Sequence, residues 1–443
     1  MAKQILIFGA GRSSAALVNY LIERAEENEW KVVVTDREIT LPEERVKSRE
    51  QGQALAIDAL DPDVRRPLIQ DSDLVISMLP ARFHIDVIKD CIEFKKPIIA
   101  PSYITEEINT LNDEAKAAGI PVLMEIGLDP GIDHMSAMEV IDRIRNEGGN
   151  LMRFESFTGG LVAPDSDNNP WNYKFTWNPR NVVLAGQGGA ARFIQEGHYK
   201  YIPPYMTFTR TKPIEIEGYG SFEGYANRDS LKYKDVYQLG DIPTIYRGTL
   251  RRAGFCEAWN TFVMLGMTDD SYEVEDCHTL TWRLFANLFL SYSEDKPVEQ
   301  KLQEYTGCSD EVMEKLKWLG LFDDTPVGMD RGTPAQLLQK LLESKWSLEP
   351  DDKDMIVMWH RFNYELEGEE NEIHASMVAI GDDTENTAMA KTVGLPVAIA
   401  TRLILQDKLH VSGVLFPTHP EIYEPILEEL KNFGVTFNES KVV

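Results

Sequence analysis

Over the first 128 residues, short apolar runs alternate with longer stretches of helical spacing. Residues 4–8, 31–35, 53–57, 73–79, 96–100 and 121–126 read as six strands. Their apolar positions run on without alternating, as in strands buried on both faces. Between them, residues 15–24, 83–94 and 105–118 place apolar side chains at the spacing of one helix face. This predicts an α/β protein with an N-terminal Rossmann-type doubly wound parallel sheet, a fold that uses six strands.

After Gly127 the pattern changes. Residues 135–145 read as a helix, and 152–267 are rich in Gly, Pro and aromatics with strand-like pieces at 153–157 and 213–216. Helical spacing returns at 280–290, 298–305, 310–319 and 333–345. Residues 355–367 and 373–380 read as a β-hairpin around the polar 368–372 connection. Helices at 387–405 and 421–433 close the chain. Neither an internal repeat nor a low-complexity linker interrupts this order.

The 443 residues carry 45 basic and 72 acidic side chains, a formal net charge of −27. That balance argues against nucleic-acid partners, which need surplus Lys and Arg, and against docking on anionic membranes. An anionic ligand would then need positive charge concentrated locally. The cysteines Cys91, Cys256, Cys277 and Cys308 form no CxxC pair, and so few of them suit a reducing, cytoplasmic setting. No stretch approaches the roughly 20 apolar residues of a membrane helix. The histidines show no HxxxH or HExxH spacing, so no metal centre is expected.

Gly9, Ala10, Gly11, Arg12, Ser13 and Ser14 follow the first strand and open the first helix. In that context Gly9 allows a tight turn and Gly11 lets the backbone approach a pyrophosphate at the helix N-terminus. Ser14 stands where a third glycine would serve close packing. Asp36 ends the second strand, where a carboxylate binds ribose hydroxyls and repels a 2′-phosphate, favouring NAD over NADP. Arg37 beside it could hold that phosphate instead. Asp58, ending the third strand, faces either the adenine edge or solvent. Leu79 and Pro80 end the fourth strand, where backbone passes a cofactor.

The segment Gly127, Leu128, Asp129, Pro130, Gly131, Ile132, Asp133, His134, Met135 resembles the domain-joining segment of the saccharopine dehydrogenase family, glutamate-forming branch. Residues 72–80, 102–105, 159–161, 168–170, 227–230, 247–251, 387–391 and 393–396 resemble the same family, in order along nearly the whole chain. The resemblance implies a Rossmann domain over 1–128 and an α/β substrate and dimerisation domain over 129–279 and 352–386. A helical insertion occupies 280–351, and helices over 387–443 pack back on the Rossmann domain. It implies reversible oxidation of saccharopine to glutamate and α-aminoadipate semialdehyde with NAD or NADP, in a homodimer. Asp36 inclines the choice to NAD.

Saccharopine carries three carboxylates and two amines. By the resemblance, Arg228 and Arg251 anchor carboxylates through their planar forks, while Arg247 is an anchor or an ion-pair partner. Ser102 and Tyr103, after the fifth strand, contact substrate, as do the backbones of Thr249 and Leu250. Ile126, Gly127 and Asp129 pass the nicotinamide ribose. Trp171 and Asn172 either close over the cofactor or, for Trp171, pack an aromatic loop. Asp129 and Tyr103 are the candidate acid–base groups; His134 is a third if it faces the cleft rather than the core. Two other readings are a carboxynorspermidine-type polyamine dehydrogenase, whose cationic substrate suits these arginines poorly, and a catalytically silent NAD-binding protein.

Overall fold

The computed structural model describes residues 2–227 and 229–442. In chain order its strands are β1 (Lys3–Phe8), β2 (Trp30–Asp36), β3 (Gly52–Ala56), β4 (Leu74–Ser77), β5 (Ile98–Ile99), β6 (Pro121–Leu123), β7 (Asn150–Val162) and β8 (Ala191–Gln195). There follow β9 (His198–Ile202), β10 (Thr211–Ile216), β11 (Gly220–Ala226), β12 (Thr244–Arg252), β13 (Asp354–Leu366), β14 (Glu369–Ile380), β15 (Gly413–Leu415) and β16 (Phe437–Val442). Two compact units form. One takes Met1–Leu151, Asp235–Leu239 and Asn363–Val443; the other takes Met152–Lys234 and Gly240–Phe362.

The first unit holds a parallel sheet of order β15-β6-β5-β4-β1-β2-β3. Read from the other edge, β3-β2-β1-β4-β5-β6 is the doubly wound order, with its switch point between β1 and β4. Ile5, Leu6, Ile7 and Phe8 of β1 are fully buried, which is why the strand reads as a continuous apolar run. Six strands are expected from the sequence, and β15 is a seventh. It is three residues long and pairs with β6 from far along the chain, so no local pattern announces it. The helix expected over 105–118 is two pieces, Glu106–Thr110 and Asn112–Ala118, broken at Leu111.

The helix Ala388–Leu405 also differs from expectation. It is long and apolar enough to cross a membrane, yet 78% of it is buried. It lies along the helix Ala15–Glu23 and beside Pro420–Leu430, so its apolar surface is core. A Cβ on its Gly394 would stand 2.9 Å from the Leu17 nitrogen and 3.1 Å from the Ser13 oxygen. Only glycine lets the helix come this near the glycine-rich turn. Tyr20, Arg402 and Glu429 link the three helices: Arg402 Nε donates to the Tyr20 hydroxyl at 2.8 Å and its guanidinium pairs with Glu429.

In the second unit the strand order is β10-β11-β12-β7-β13, with β8 on β12 and β9 on β8. Strands β10, β11 and β12 are antiparallel and β12 runs parallel to β7. Helices Phe255–Leu265 and Pro334–Trp346 supply Trp259, Phe262 and Trp346 to an aromatic core that also holds Tyr173 and Phe255. The connection between β13 and β14 is tighter than expected. Only Glu367 and Gly368 turn the chain, both at positive φ (54° and 83°), as a two-residue type I′ turn requires.

Candidate active site

In the first unit the parallel strands deliver the predicted cofactor residues to their carboxyl ends. Gly9 has φ 100°, and a Cβ there would meet the Met78 carbonyl oxygen at 3.0 Å. The turn after β1 is thus pressed against the chain leaving β4. A Cβ on Gly11 would meet no protein atom within 4 Å, so the space above this backbone is open, as a pyrophosphate needs. Arg12–Ser14 form one short 3-10 turn before the helix Ala15–Glu23. Ser14 is buried, and its hydroxyl donates to the Gly11 carbonyl at 2.7 Å. The residues therefore fit a dinucleotide.

Asp36 is turned inward onto this turn. One carboxylate oxygen accepts the Ala10 N–H at 2.9 Å and the other accepts the Arg37 N–H at 2.7 Å. Arg12 and Arg37 are exposed, and Arg45 brings Nη2 within 3.5 Å of the Gly11 carbonyl. Asp58 is exposed and accepts the Leu60 N–H at 3.0 Å. Leu79 packs half-buried against the core cluster and Pro80 is exposed beside it. Ser77, one turn earlier, pairs its hydroxyl with His84 Nδ1 at 2.8 Å. Burial pushes the His84 pKa down to about 4, so the ring is neutral at physiological pH.

The loop carrying Gly127 and Asp129 folds back on itself. Gly127 N–H donates to the Pro130 carbonyl and Ile132 N–H to the Gly127 carbonyl, each at 2.9 Å. Asp129–Pro130 is a cis peptide. Gly131 has φ 149°, and a Cβ there would fall 2.1 Å from the Gly127 oxygen, so the loop closes only with glycine. Ile126 is fully buried beneath it. Ser102 and Tyr103 follow β5 and are half-buried. His134 faces the interior, fully buried between Glu125 and Tyr237.

In the second unit Thr249, Leu250 and Arg251 sit on β12, opposite Tyr225, Gly224 and Glu223 of β11. The Arg251 side chain is 3% exposed. Its Nη1 donates to the Leu250 carbonyl at 2.8 Å, and its Nε has no partner. The guanidinium lies 5.1 Å from the Tyr173 ring, 5.5 Å from Phe255 and 5.9 Å from Tyr225. Among the described residues no carboxylate pairs with it; Glu223 accepts the Cys256 N–H instead. The Tyr173 hydroxyl is buried, and burial raises its pKa. Burial raises the Tyr225 pKa to about 12 against the pull of Arg251, so these rings present neutral hydroxyls to a cation.

Arg228 lies outside the described residues. Arg247 is buried, with its guanidinium 3.9 Å from the Tyr233 ring and its N–H on the Ser230 hydroxyl at 2.9 Å. Asn172 has φ 50° and donates to Asp167 at 3.0 Å. Trp171 is core: it stacks on Phe262 and donates from Nε1 to the Lys315 carbonyl at 3.0 Å. A cavity of about 630 Å³ lies beside this sheet, lined by the glycine-rich residues 186–190 with Arg192, Thr207 and Asp229. Glu125 and Tyr237 were not singled out by the sequence reading. The signal available for Glu125 was a carboxylate inside the apolar run 121–126.

Comparison with known proteins adds to this geometry. Residues 5–123 match the family model "Saccharopine dehydrogenase NADP binding domain", and 127–435 match "Saccharopine dehydrogenase C-terminal domain". The chain is 34% identical to saccharopine dehydrogenase [NADP(+), L-glutamate-forming] of Saccharomyces cerevisiae, over all of both chains. It is 33% identical to the mitochondrial α-aminoadipic semialdehyde synthase of Mus musculus, spanning all of this chain and 48% of that one. The solved apo saccharopine dehydrogenase (L-Glu forming) of S. cerevisiae superposes with a TM-score of 0.89 at 31% identity, covering 100% of each. The inclination to NAD drawn from Asp36 finds no support here. The matching cofactor model is an NADP one, and the carboxylate that was to repel a 2′-phosphate is engaged by two backbone N–H groups. The NADP-binding and C-terminal domain models of saccharopine dehydrogenase, matched in order over nearly the whole chain, place this chain in the saccharopine dehydrogenase family.

Proposed function

We propose that this protein oxidises saccharopine reversibly to glutamate and α-aminoadipate semialdehyde, in lysine metabolism, with NADP as the hydride acceptor. The observation that carries the reading is Arg251. A guanidinium buried without a carboxylate partner is costly unless something anionic arrives to pair with it. A substrate carboxylate supplies two acceptors for its planar fork. A polyamine would instead add like charge to a cation already unpaired, which disfavours the carboxynorspermidine reading. Arg228, Ser102, Thr249 and Leu250 are assigned further substrate contacts.

When bound, a nicotinamide nucleotide would supply the hydride acceptor for oxidation at the lysine-side ε-carbon of saccharopine, and water would open the C=N bond so formed. Around that event the chain must hold the substrate, orient the carbon and move protons. Tyr103 and Asp129 are assigned the proton transfers, Tyr103 from the end of β5 and Asp129 from the loop closed by Gly131. The turn of residues 9–14 would hold the pyrophosphate. Arg12 in this turn and Arg37 beside Asp36, both exposed, are assigned the 2′-phosphate. Nicotinamide reduction followed with saccharopine and with carboxynorspermidine tests the reading. Turnover of saccharopine alone is expected; turnover of the polyamine alone, or of neither while NADPH still binds, would overturn it.

A further inference from the structure

Glu125 follows β6 at φ 53°, in the left-handed region, and its side chain is fully buried. A strained backbone and a buried carboxylate in one residue are both unfavourable, and such features gather where a fold must hold a functional loop. Glu125 holds one. Its N–H donates to the Ser102 carbonyl at 3.0 Å, and its Oε1 accepts the Ile104 N–H at 2.8 Å. The turn bearing Ser102 and Tyr103 is thus gripped on both sides by a single residue.

The grip extends inward. Glu125 Oε2 stands 3.0 Å from His134 Nε2, and His134 Nδ1 stands 2.5 Å from the Tyr237 hydroxyl. A carboxylate only accepts, so Glu125 takes a proton that His134 carries on Nε2, while Nδ1 faces the Tyr237 hydroxyl and, at 3.5 Å, the Asp133 carboxylate. His134 is also the third residue of the helix that begins behind Gly131. Its neighbour Asp133 accepts the Gly131 N–H at 2.6 Å. The loop bearing Asp129 and the turn bearing Tyr103 therefore share one buried support. The far end is also fixed. Tyr237 belongs to the short segment Asp235–Leu239 that joins the first unit although its chain neighbours belong to the second. Arg145 Nη2 donates to the Tyr237 and Gln238 carbonyls, each at 2.7 Å.

We infer that Glu125, His134 and Tyr237 are positioning residues, a buried relay that sets the Ser102 and Tyr103 turn against the Asp129 loop for hydride and proton transfer. The inference rests on the function proposed above. None of the three needs to touch substrate; each acts through the groups it orients, and small misplacements of such groups are expensive in rate.

The test is steady-state kinetics with saccharopine on the full-length protein, alongside NADPH affinity read by nucleotide fluorescence. Glu125→Ala is expected to lower kcat on the order of 30- to 100-fold, with the NADPH Kd holding within about threefold. Glu125→Gln keeps an oxygen for the Ile104 N–H but turns an amide NH2 toward His134 Nε2, so its kcat is expected to lie between those of the Ala variant and the unmodified protein. Tyr237→Phe, which leaves the Ile104 contact intact, is expected to lower kcat by about fivefold at unchanged NADPH Kd. If Glu125→Ala does not fold, the Gln and Phe variants carry the test. An unchanged kcat in Tyr237→Phe, no difference between the Gln and Ala variants, or NADPH affinity falling in step with kcat would each overturn the relay. Failure of the unmodified protein to oxidise saccharopine would sink the functional reading itself, whereas turnover with unaffected variants would sink the relay alone.

Discussion

Replacing Arg251 by methionine should make the ligand-free protein more stable and the enzyme much worse. The side chain is 3% exposed, and its interactions within the protein are one bond to the Leu250 carbonyl at 2.8 Å and ring contacts at 5.1–5.9 Å. Losing the hydrogen bond costs about 1 kcal/mol, and losing the ring contacts about another 1 kcal/mol. Against this, a buried cation without a paired anion carries a penalty of several kcal/mol. Tyr225, Tyr173 and Cys256 beside the guanidinium relieve part of it. The balance favours Arg251→Met by about 1 kcal/mol, or roughly 1 °C in Tm for a chain of this length. In catalysis the same change removes a charge-assisted fork to a carboxylate, ~2–5 kcal/mol, roughly 30- to 5000-fold in kcat/KM for saccharopine. Arg251→Lys keeps the charge without the fork and should fall between. Differential scanning calorimetry of the apo protein and initial rates at varied saccharopine read the two effects. A lowered Tm with an unchanged saccharopine KM would mean that Arg251 is a structural residue, and the anion-site reasoning would fail.

Three further outcomes follow from the geometry. Gly394→Val would push a side chain into the Leu17 nitrogen and the Ser13 oxygen; a loss of about 1–3 kcal/mol in urea unfolding and a weaker NADPH Kd are expected. An unchanged Kd would show that the helix Ala388–Leu405 does not support the glycine-rich turn. Gly131→Ala cannot keep the 2.1 Å approach to Gly127, so kcat should fall at least tenfold; full activity would refute the self-closed loop. Burial holds His84 near a pKa of about 4, against 6.5 when exposed. Above 6.5 both states are neutral. As the pH falls from 6.5 to 4 the unfolded chain takes a proton that the folded one refuses, so up to about 3 kcal/mol of stability is lost over that window. His84→Gln should flatten the urea midpoint between those pH values, and an equally steep dependence in that variant would refute the assignment.

The parallel sheet was legible because doubly buried strands must be apolar throughout, and Ile5 to Phe8 show it. The strand β15 was not, since three residues paired across the chain leave no periodicity. The glycine-rich turn was legible from its glycines: Gly9 has no room for a Cβ, while Gly11 leaves open space. Asp36 misled for a physical reason. A strand-end carboxylate looks the same in sequence whether it faces a ribose or accepts the Ala10 N–H. Glu125 was passed over inside an apolar run because its partners Ile104, His134 and Tyr237 are brought to it only by the fold. Arg251 entered through resemblance to a family motif; what gives it chemical weight, a buried guanidinium that pairs with no carboxylate among the described residues, appears only in three dimensions. The net charge of −27 describes the whole surface and hides that one local reversal.

The central claim is tested most directly by initial rates of nicotinamide reduction with saccharopine, run in parallel with NADP and NAD. Saccharopine-dependent reduction with a kcat/KM for NADP at least tenfold above that for NAD is predicted. No saccharopine-dependent reduction with either nucleotide would contradict the proposed reaction, and a preference for NAD would return Asp36 to the ribose and contradict the cofactor assignment.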